Sequence, residues 1–587
     1  MAQPELTGCE CLCFTNKFKK ARITRAFFRL LLKIKLTRQA LENQKMSLAQ
    51  LTEQFGKVET LVVAADYVVD PLHAYQYLCQ DRSNNLLLES AEINSKDNLK
   101  SLLLVDAAIK LECHGQLVYC RALTDNGHAV LPMFDEYCPV GVTHDYDPAK
   151  GLVTLTFPES NAELDEDSRL KAPAVFDALR LITNKITAIR PHPHAVFLGG
   201  ALAYDLLASF EKLPDVEDSA NSCPDFVFYL AETLVIIDHQ TQQSEIIGSV
   251  FSGKNVGNNY FSVSQRLEQV KHKLGTIKPL PDKPLANSVK RAITNDDLVV
   301  DKSDQEYIDD VIGLKENILS GDIFQVVPSR TFSLPCPHPH DAYRALKQQN
   351  PSPYMFFLQD DDFCMFGASP ESALKYTKQT NQVEIYPIAG TRPRGKRADG
   401  SIDLDLDCRL ELNLQEDQKE RAEHIMLVDL ARNDVAKVSK PGTRYVTDLL
   451  KVDRYSHVMH LVSRVVGQLR DDLDALNAYQ ACMNMGTLVG APKVSAATLI
   501  RQTEKQRRGS YGGAVGYINS QGDMDTCIVI RSAFVKNDMA YIQAGAGVVF
   551  DSDPQSEADE TRGKAQAVIN AIISSSQALG SKSEGAV

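Results

Sequence analysis

The stretch Tyr386-Pro-Ile-Ala-Gly-Thr-Arg-Pro-Arg-Gly395 constrains this chain more than any other. An apolar strand opening runs into Gly390, a residue type that lets backbone amides approach a ligand closely. A hydroxyl follows at Thr391, then Arg392 and Arg394 on either side of a proline. Guanidinium forks match carboxylates and phosphates, so a strand broken in this way reads as an anion-facing turn. The chain's net charge is −13, and an anionic ligand would have to be held by local cations of this kind. The same ten residues also fit an exposed basic hairpin, and the rest of the chain has to decide between the two.

A chain of 587 residues has room for roughly two to four domains, or one large two-lobed body. The acidic balance argues against a general nucleic-acid partner. No apolar run reaches the ~18 residues of a membrane span. The 13 cysteines include no zinc-spaced pair. Beyond Cys9, Cys11 and Cys13 they are scattered, which points to reduced thiols and a cytoplasmic protein. Tryptophan is absent.

Residues 1–45 stand apart. Phe27, Phe28, Leu30, Leu31, Leu32 and Ile34 are interleaved with Lys19, Lys20, Arg22, Arg25, Arg29, Lys33 and Lys35. A membrane-surface helix would look like this, but a disordered arm or an upstream start is the plainer expectation. Residues 46–275 alternate strands and helices and form an amino-terminal domain, with buried strands expected at Leu86–Ser90 and Thr233–Asp238. Residues 276–302, proline-rich and poor in apolar side chains, read as a linker. At 303 a capping box, Ser303 to Glu306, opens a helix with Tyr307, Val311, Leu314 and Ile318 on one face. A catalytic region is expected over 303–575 and a frayed tail over 576–587.

Two pairs of carboxylates stand out, Glu420 with Glu423 and Glu557 with Glu560. Both lie in helical segments, where i,i+3 spacing puts each pair on one face. Carboxylates from two helices far apart in sequence suit a hard cation such as Mg²⁺. Two solvated acidic faces would give the same spacing, and Mg²⁺ uses few protein oxygens, so the pairs alone do not establish a metal site.

Six segments decide the matter together. They are Phe324-Gln-Val-Val-Pro-Ser-Arg330, Gly367-Ala-Ser-Pro-Glu371, Pro387-Ile-Ala-Gly-Thr391, Glu423 to Asp434, Gly486-Thr-Leu-Val-Gly-Ala-Pro-Lys493 and Gln543-Ala-Gly-Ala-Gly547. In this order they resemble the chorismate-utilising enzymes, and among these the large subunits (component I) of anthranilate synthases, over about residues 50 to 575. The resemblance implies a mixed α+β, two-lobed fold in which large antiparallel sheets pack as a sandwich with helices outside. It also implies a reaction: chorismate and ammonia give anthranilate and pyruvate with Mg²⁺, as the first step of tryptophan biosynthesis.

The resemblance further implies roles. Glu423 and Glu560 would hold Mg²⁺, with Glu420 and Glu557 behind them through water. Glu371 would be the general acid for the departing hydroxyl. His460 would assist the elimination, although a lone histidine on a strand is more often structural. Arg531 would pair with the enolpyruvyl carboxylate and Tyr511 would donate a hydrogen bond. Gly390, Thr391, Gly545, Ala546 and Gly547 would contact the substrate. Arg392 and Arg394 remain unassigned. Val489 stands where the family often has Ser, which puts one polar contact in doubt.

Two residues choose among relatives. Water-adding relatives resemble one another in having Lys at Gln325, and glutamine cannot act as a base; it suits ammonia. Aminodeoxychorismate synthase, the nearest alternative, tends to have Lys at Ala389. A non-catalytic chorismate- or tryptophan-binding subunit is the other alternative, and the intact set of acidic residues argues against it. No glutaminase nucleophile turn is present, so the resemblance implies a separate glutamine amidotransferase subunit and a hetero-oligomer. Ser90, Pro353, Tyr354 and Met355 resemble the family's pocket for tryptophan, a feedback inhibitor.

Overall fold

The computed structural model describes residues 50–580, apart from 53–54, 81, 91–98, 162, 278–292, 398 and 456–457. The arm 1–45, most of the linker and the end of the tail lie outside the described residues.

Strands that are buried on both faces build the frame. In Phe226–Asp238, alternate residues serve two cores: Val227, Tyr229 and Ala231 face one, Phe226, Phe228 and Leu230 the other. Tyr354–Gln359 divides the same way, with Phe356 and Leu358 joining the first core and Met355 and Phe357 a third. This is the two-residue period of a strand, applied with apolar residues on both sides. The core that Val227 and Phe356 share is supplied by strands and their hairpin ends, while the outer two cores draw on helices. The result is the expected α+β sandwich. Among the described residues 23 strands belong to one connected sheet, antiparallel except for a short parallel pairing of Lys57–Ala65 with Thr187–Ala188.

The two halves interleave within that sheet. Asn85–Glu89 pairs with Tyr354–Gln359, Glu89 opposite Met355, and Phe197–Leu202 pairs with Ala514–Asn519. The expected linker therefore crosses a shared sheet and does not separate two independent ones. Its last residues are themselves structured, since Ile293 is buried and Val299 pairs with Ser333. The tail also begins later than expected, because the helix Pro554–Gly580 runs past residue 576. The capping box at Ser303 forms, and Gly321 ends its helix at φ +85°.

At the motif that opened the argument, the strand Ile388–Pro393 bulges. Its register against Val458–Gln468 slips between Ala389 and Thr391, and Gly390 sits at φ +79°. A side chain there would also meet Glu420 Oε2 at 3.1 Å and Leu414 at 3.2 Å. The strand bends at Gly390 and then resumes, as bulges do next to functional sites. Among the described residues no helix is long and apolar enough to cross a membrane.

Candidate active site

Two buried arginines hold the walls. Arg330, fully buried, donates to Thr561 Oγ1 (2.9 Å), Ala558 O (2.8 Å) and Asp304 Oδ1 (2.7 Å), fixing the helix that carries Glu557 and Glu560. Arg508 pairs with Glu504 and donates to the carbonyls of Leu488 (2.9 Å) and Val327 (2.6 Å). Glu504 in turn accepts from the amide and hydroxyl of Ser329 at 2.8 Å. Buried charges satisfied on this scale fix one arrangement, and removing one partner would leave the other uncompensated.

The helix Gln418–Val438 brings Glu420 and Glu423 to face Glu557 and Glu560. Burial first, then the nearby Glu420, Glu557 and Glu560 carboxylates, push Glu423 up to about 7 against the opposing pull of Lys419. Burial and Glu560 likewise raise Glu557. Glu560 is paired with Lys564 at 2.6 Å. Among the described residues no three carboxylates, imidazoles or thiolates form a ready-made ligand set. A cluster of hard oxygens that repel one another, with few protein ligands to any one ion, fits Mg²⁺.

The arginines of the opening motif find their carboxylates within the chain. Arg392 donates to Glu420 Oε1 (2.9 Å), Asp417 Oδ2 (2.7 Å) and Asn413 Oδ1 (2.9 Å). Arg394 forks onto Asp407 with two bonds of 2.9 Å. The anion-facing turn is real in its chemistry, but these two guanidinia clamp the acidic helices and are not free for a ligand.

Glu371 is buried beside a small cavity lined by Tyr386, Pro387, Leu427, Leu430, Gly486 and Thr487. Burial raises its carboxyl to about 8, against the Thr487 hydroxyl, which donates to Oε1 at 3.1 Å, and the more distant Lys564. His460 lies across the bulge. Its Nδ1 is 2.9 Å from Thr391 Oγ1 and 3.3 Å from Gly390 O. A carbonyl only accepts, so Nδ1 carries the hydrogen and Nε2 is left as a base. Burial lowers the imidazole to about 4 and Arg531 acts the same way, while the Gly390 carbonyl opposes them. The ring is neutral at pH 7.

Gln325 is buried, and its Oε1 has no hydrogen-bond partner. A side chain at Gly547 would meet its Nε2 at 2.8 Å, and one at Gly545 would meet the Tyr511 hydroxyl at 3.0 Å and Pro328 O at 2.6 Å. Ala546 is fully buried between them. Arg531, at φ +52°, donates to Lys564 O at 3.0 Å. Burial depresses its guanidinium, while Tyr511 and Glu560 act in the opposite sense. Tyr511 thus lies beside Gly545, and Gln325 beside Gly547, at one end of the strand Met539–Gly545.

The chorismate binding enzyme family matches residues 144–570. Anthranilate synthase component 1 of Vibrio parahaemolyticus is 56% identical over 520 residues, covering 89% of this chain and 94% of that one. The protein of the same name from Escherichia coli is 54% identical over 521 residues, covering 89% and 98%. The chain belongs to the anthranilate synthase component 1 branch of the chorismate binding enzymes. The crystal structure of anthranilate synthase component I from Streptococcus pneumoniae superposes with a TM-score of 0.63 at 27% identity, covering 86% of this chain and 98% of that one. The menaquinone-specific isochorismate synthase of Escherichia coli, with a TM-score of 0.60 at 17% identity and coverage of 91% and 99%, shares the fold.

Sequence reasoning missed three residues of this component 1 site. Lys564 donates to Gly545 O (2.9 Å) and Glu560 (2.6 Å); its spacing of four from Glu560 was the available signal. Thr487 lay inside a quoted motif without a role. His424, fully buried next to Glu423, shares a 2.7 Å bond with Ser463 Oγ and turns its other side to the backbone of Ala389. Lys493 proves structural, bonded to Asp434 Oδ2 (2.8 Å) and Cys482 O (2.7 Å). Val489 is buried in the apolar core, where a hydroxyl would need a partner.

The expected inhibitor residues are divided by the strand period. Ser90 and Tyr354 fall opposite one another when the Glu89–Met355 register is extended by one residue. Ser90 Oγ is buried without a partner, and Tyr354 donates to Asp525 Oδ1 at 3.2 Å. Pro353 is buried next in sequence. Met355 points the other way, its side chain packed in the helix-covered core with Phe357; only its backbone borders Ser90 and Tyr354.

Proposed function

We propose that this chain converts chorismate and ammonia into anthranilate and pyruvate as the large subunit of an anthranilate synthase. The observation that carries the proposal is Glu371, a buried carboxyl raised to about 8. It is still protonated at pH 7 and able to act as an acid, in a chain more than half identical to component 1 proteins.

Glu371 gives its proton to the hydroxyl leaving the ring while ammonia adds to the ring. Gln325 accepts a hydrogen bond from the incoming ammonia through its unpartnered Oε1. Pyruvate is then eliminated. The neutral His460 takes the ring proton through Nε2, the enolpyruvyl C–O bond breaks, and the ring becomes aromatic. Arg531 and Tyr511 hold the enolpyruvyl carboxylate, and the backbone at Gly390, Gly545, Ala546 and Gly547 leaves room for it. Glu423 and Glu560 would hold Mg²⁺, with Glu420 and Glu557 behind them. When bound, the ion withdraws electron density from the ring carboxylate as a Lewis acid.

The ammonia comes from a glutamine amidotransferase subunit, and tryptophan inhibits by entering between Ser90 and Tyr354. The reaction is the first committed step of tryptophan biosynthesis and runs in the cytoplasm. The test is a product assay with chorismate, Mg²⁺ and ammonium salts. Fluorescent anthranilate is the expected product; non-aromatic aminodeoxychorismate or isochorismate would overturn the reading.

A further inference from the structure

The strand Val458–Gln468 has a bulged neighbour on each side. On one side the register of Ile388–Pro393 slips between Ala389 and Thr391, with Gly390 at φ +79°. On the other the register of Tyr445–Arg454 slips between Asp448 and Lys451, with Leu450 at φ +56°. A bulge leaves backbone groups out of the ladder. The Leu450 amide is satisfied by Ser463, donating to its Oγ at 3.0 Å. Ser463 is fully buried, and its own amide donates to Pro387 O at 3.0 Å.

His424 joins the two bulges. Its Nε2 is 2.7 Å from Ser463 Oγ. Its other nitrogen, Nδ1, faces the Ala389 backbone and is buried with no hydrogen bond completed. The Ala389 backbone raises the imidazole against the larger effect of burial, as an acceptor does. Nδ1 therefore carries the hydrogen and points it at the Ala389 carbonyl, while the Ser463 hydroxyl donates to Nε2. A directed chain runs from the Leu450 amide through the Ser463 hydroxyl to His424 and on toward Ala389.

The helix Gln418–Val438 sets this ring one residue after Glu423 and four after Glu420, so Glu420 and His424 share one helix face. A side chain at Gly390 would meet Glu420 Oε2 at 3.1 Å. Successive turns of the acidic helix thus back the same bulge. Across the bulge, His460 Nδ1 lies 2.9 Å from Thr391 Oγ1 and 3.3 Å from Gly390 O. Two imidazoles bracket Ala389-Gly390-Thr391, one from the helix and one from the strand. A buried nitrogen left short of a partner is costly, and packing alone would favour an apolar ring at this place.

We propose that His424 is a positioning residue: it sets the Gly390–Thr391 bulge, and with it His460, against the helix that carries Glu423. The group that would hold the metal and the base that takes the ring proton then keep one spacing. The inference rests on the proposed anthranilate synthase reaction and deepens it by naming the residue that couples these two parts of the site.

The test uses His424→Phe, His424→Asn and Ser463→Ala in the full-length chain. Phenylalanine keeps a ring and loses both nitrogens, whereas asparagine keeps a nitrogen donor at the place of Nδ1. Ammonium-dependent turnover is measured across a Mg²⁺ titration, and hydrogen exchange of residues 386–395 by mass spectrometry without ligands. In His424→Phe, kcat should fall about 10- to 100-fold and the Mg²⁺ concentration for half-activation should rise about tenfold. Exchange should quicken in residues 386–395 and stay unchanged in the helix Pro554–Gly580. His424→Asn should restore turnover to within a few-fold, and Ser463→Ala should shift both readouts in the direction of His424→Phe by less. Full turnover with unchanged exchange in His424→Phe would overturn the proposal. So would equal losses in His424→Phe and His424→Asn, or faster exchange throughout the chain, since either makes His424 a packing residue only. If His424→Phe does not fold, Ser463→Ala carries the test: faster exchange confined to residues 386–395 supports the proposal, and unchanged exchange there overturns it. If the unaltered chain makes no anthranilate from ammonium, the reaction reading fails, and the exchange measurement still decides whether His424 sets the bulge.

Discussion

The Thr487 hydroxyl donates to Glu371 Oε1 at 3.1 Å, and this bond opposes the burial that keeps the carboxyl protonated. An acid catalyst is active while it holds its proton. Ammonium-dependent turnover, measured at constant free ammonia, should therefore fall as pH rises through about 8. Thr487→Val removes a bond that favours the ionised form, so the alkaline limb should move up by roughly half to one pH unit. Glu371→Gln should cost at least about 100-fold in kcat. A limb that stays in place in Thr487→Val would detach this pair from the acid role.

Glu423 gives a stability prediction with a definite sign. Its folded value of about 7 lies above the ordinary carboxylate value, so the folded state binds the proton more tightly than the unfolded one. The stability it contributes is present below about pH 4.5 and is lost as pH rises toward 7. Compared with Glu423→Gln at each pH, the metal-free protein should lose roughly 1–2 kcal/mol across this window, allowing for solvent screening of a partly exposed group. Thermal melts at pH 4.5 and 7.5 check the difference. Added Mg²⁺ should recover it in the unaltered chain and not in the variant.

Arg392 holds Glu420 and Asp417 together, donating to Glu420 Oε1 at 2.9 Å and to Asp417 Oδ2 at 2.7 Å. Losing that guanidinium frees the Glu420 carboxylate and the start of the helix Gln418–Val438 that Asp417 caps. Arg392→Ala should weaken Mg²⁺ activation about 10- to 100-fold, leaving kcat at saturating Mg²⁺ within a few-fold. A Mg²⁺ titration of turnover separates this from a general loss of folding.

The fold was largely legible because local signals agreed. The runs at Leu86 and Thr233, the capping box at Ser303 and the break at Gly390 all appear where the residues predict them. Long-range pairing was not legible: nothing local says that Arg392 meets Asp417 and Glu420, or that Asn85–Glu89 pairs across the linker with Tyr354–Gln359. The direction of the Met355 side chain was readable from the strand period. Consecutive strand residues point to opposite faces, so Tyr354 and Met355 could not both turn toward Ser90. Lys564 was visible as a helix neighbour of Glu560, but its bond to Gly545 O needed the folded chain.

Ser90 Oγ is buried without a partner, and the Tyr354 hydroxyl on the neighbouring strand is tied to Asp525. If tryptophan binds there, Ser90→Ala and Tyr354→Phe should each raise the concentration needed for half-inhibition about tenfold, the cost of one hydrogen bond to a buried partner, with ammonium-dependent turnover unchanged. Met355→Leu should change inhibition less, because its side chain is in the other core. Equal effects at all three positions would argue for loosening of the strand and against a contact site.

Ala389 sits at the bulge with Gly390 and Thr391, its backbone beside His424. Its methyl offers no nucleophile, which accords with the proposed use of ammonia. Ala389→Lys would put an amine on the same strand as Thr391, next to the proposed substrate-binding residues. Ammonium-dependent anthranilate formation should fall by at least about 100-fold, the scale of effect expected when a reacting group is misplaced. Intact-mass measurement after incubation with chorismate should detect a covalent adduct on the variant and none on the unaltered chain. Normal anthranilate formation by Ala389→Lys would mean that residue 389 does not face the ring, and Ala389 would lose its place as the residue that leaves the chemistry to ammonia.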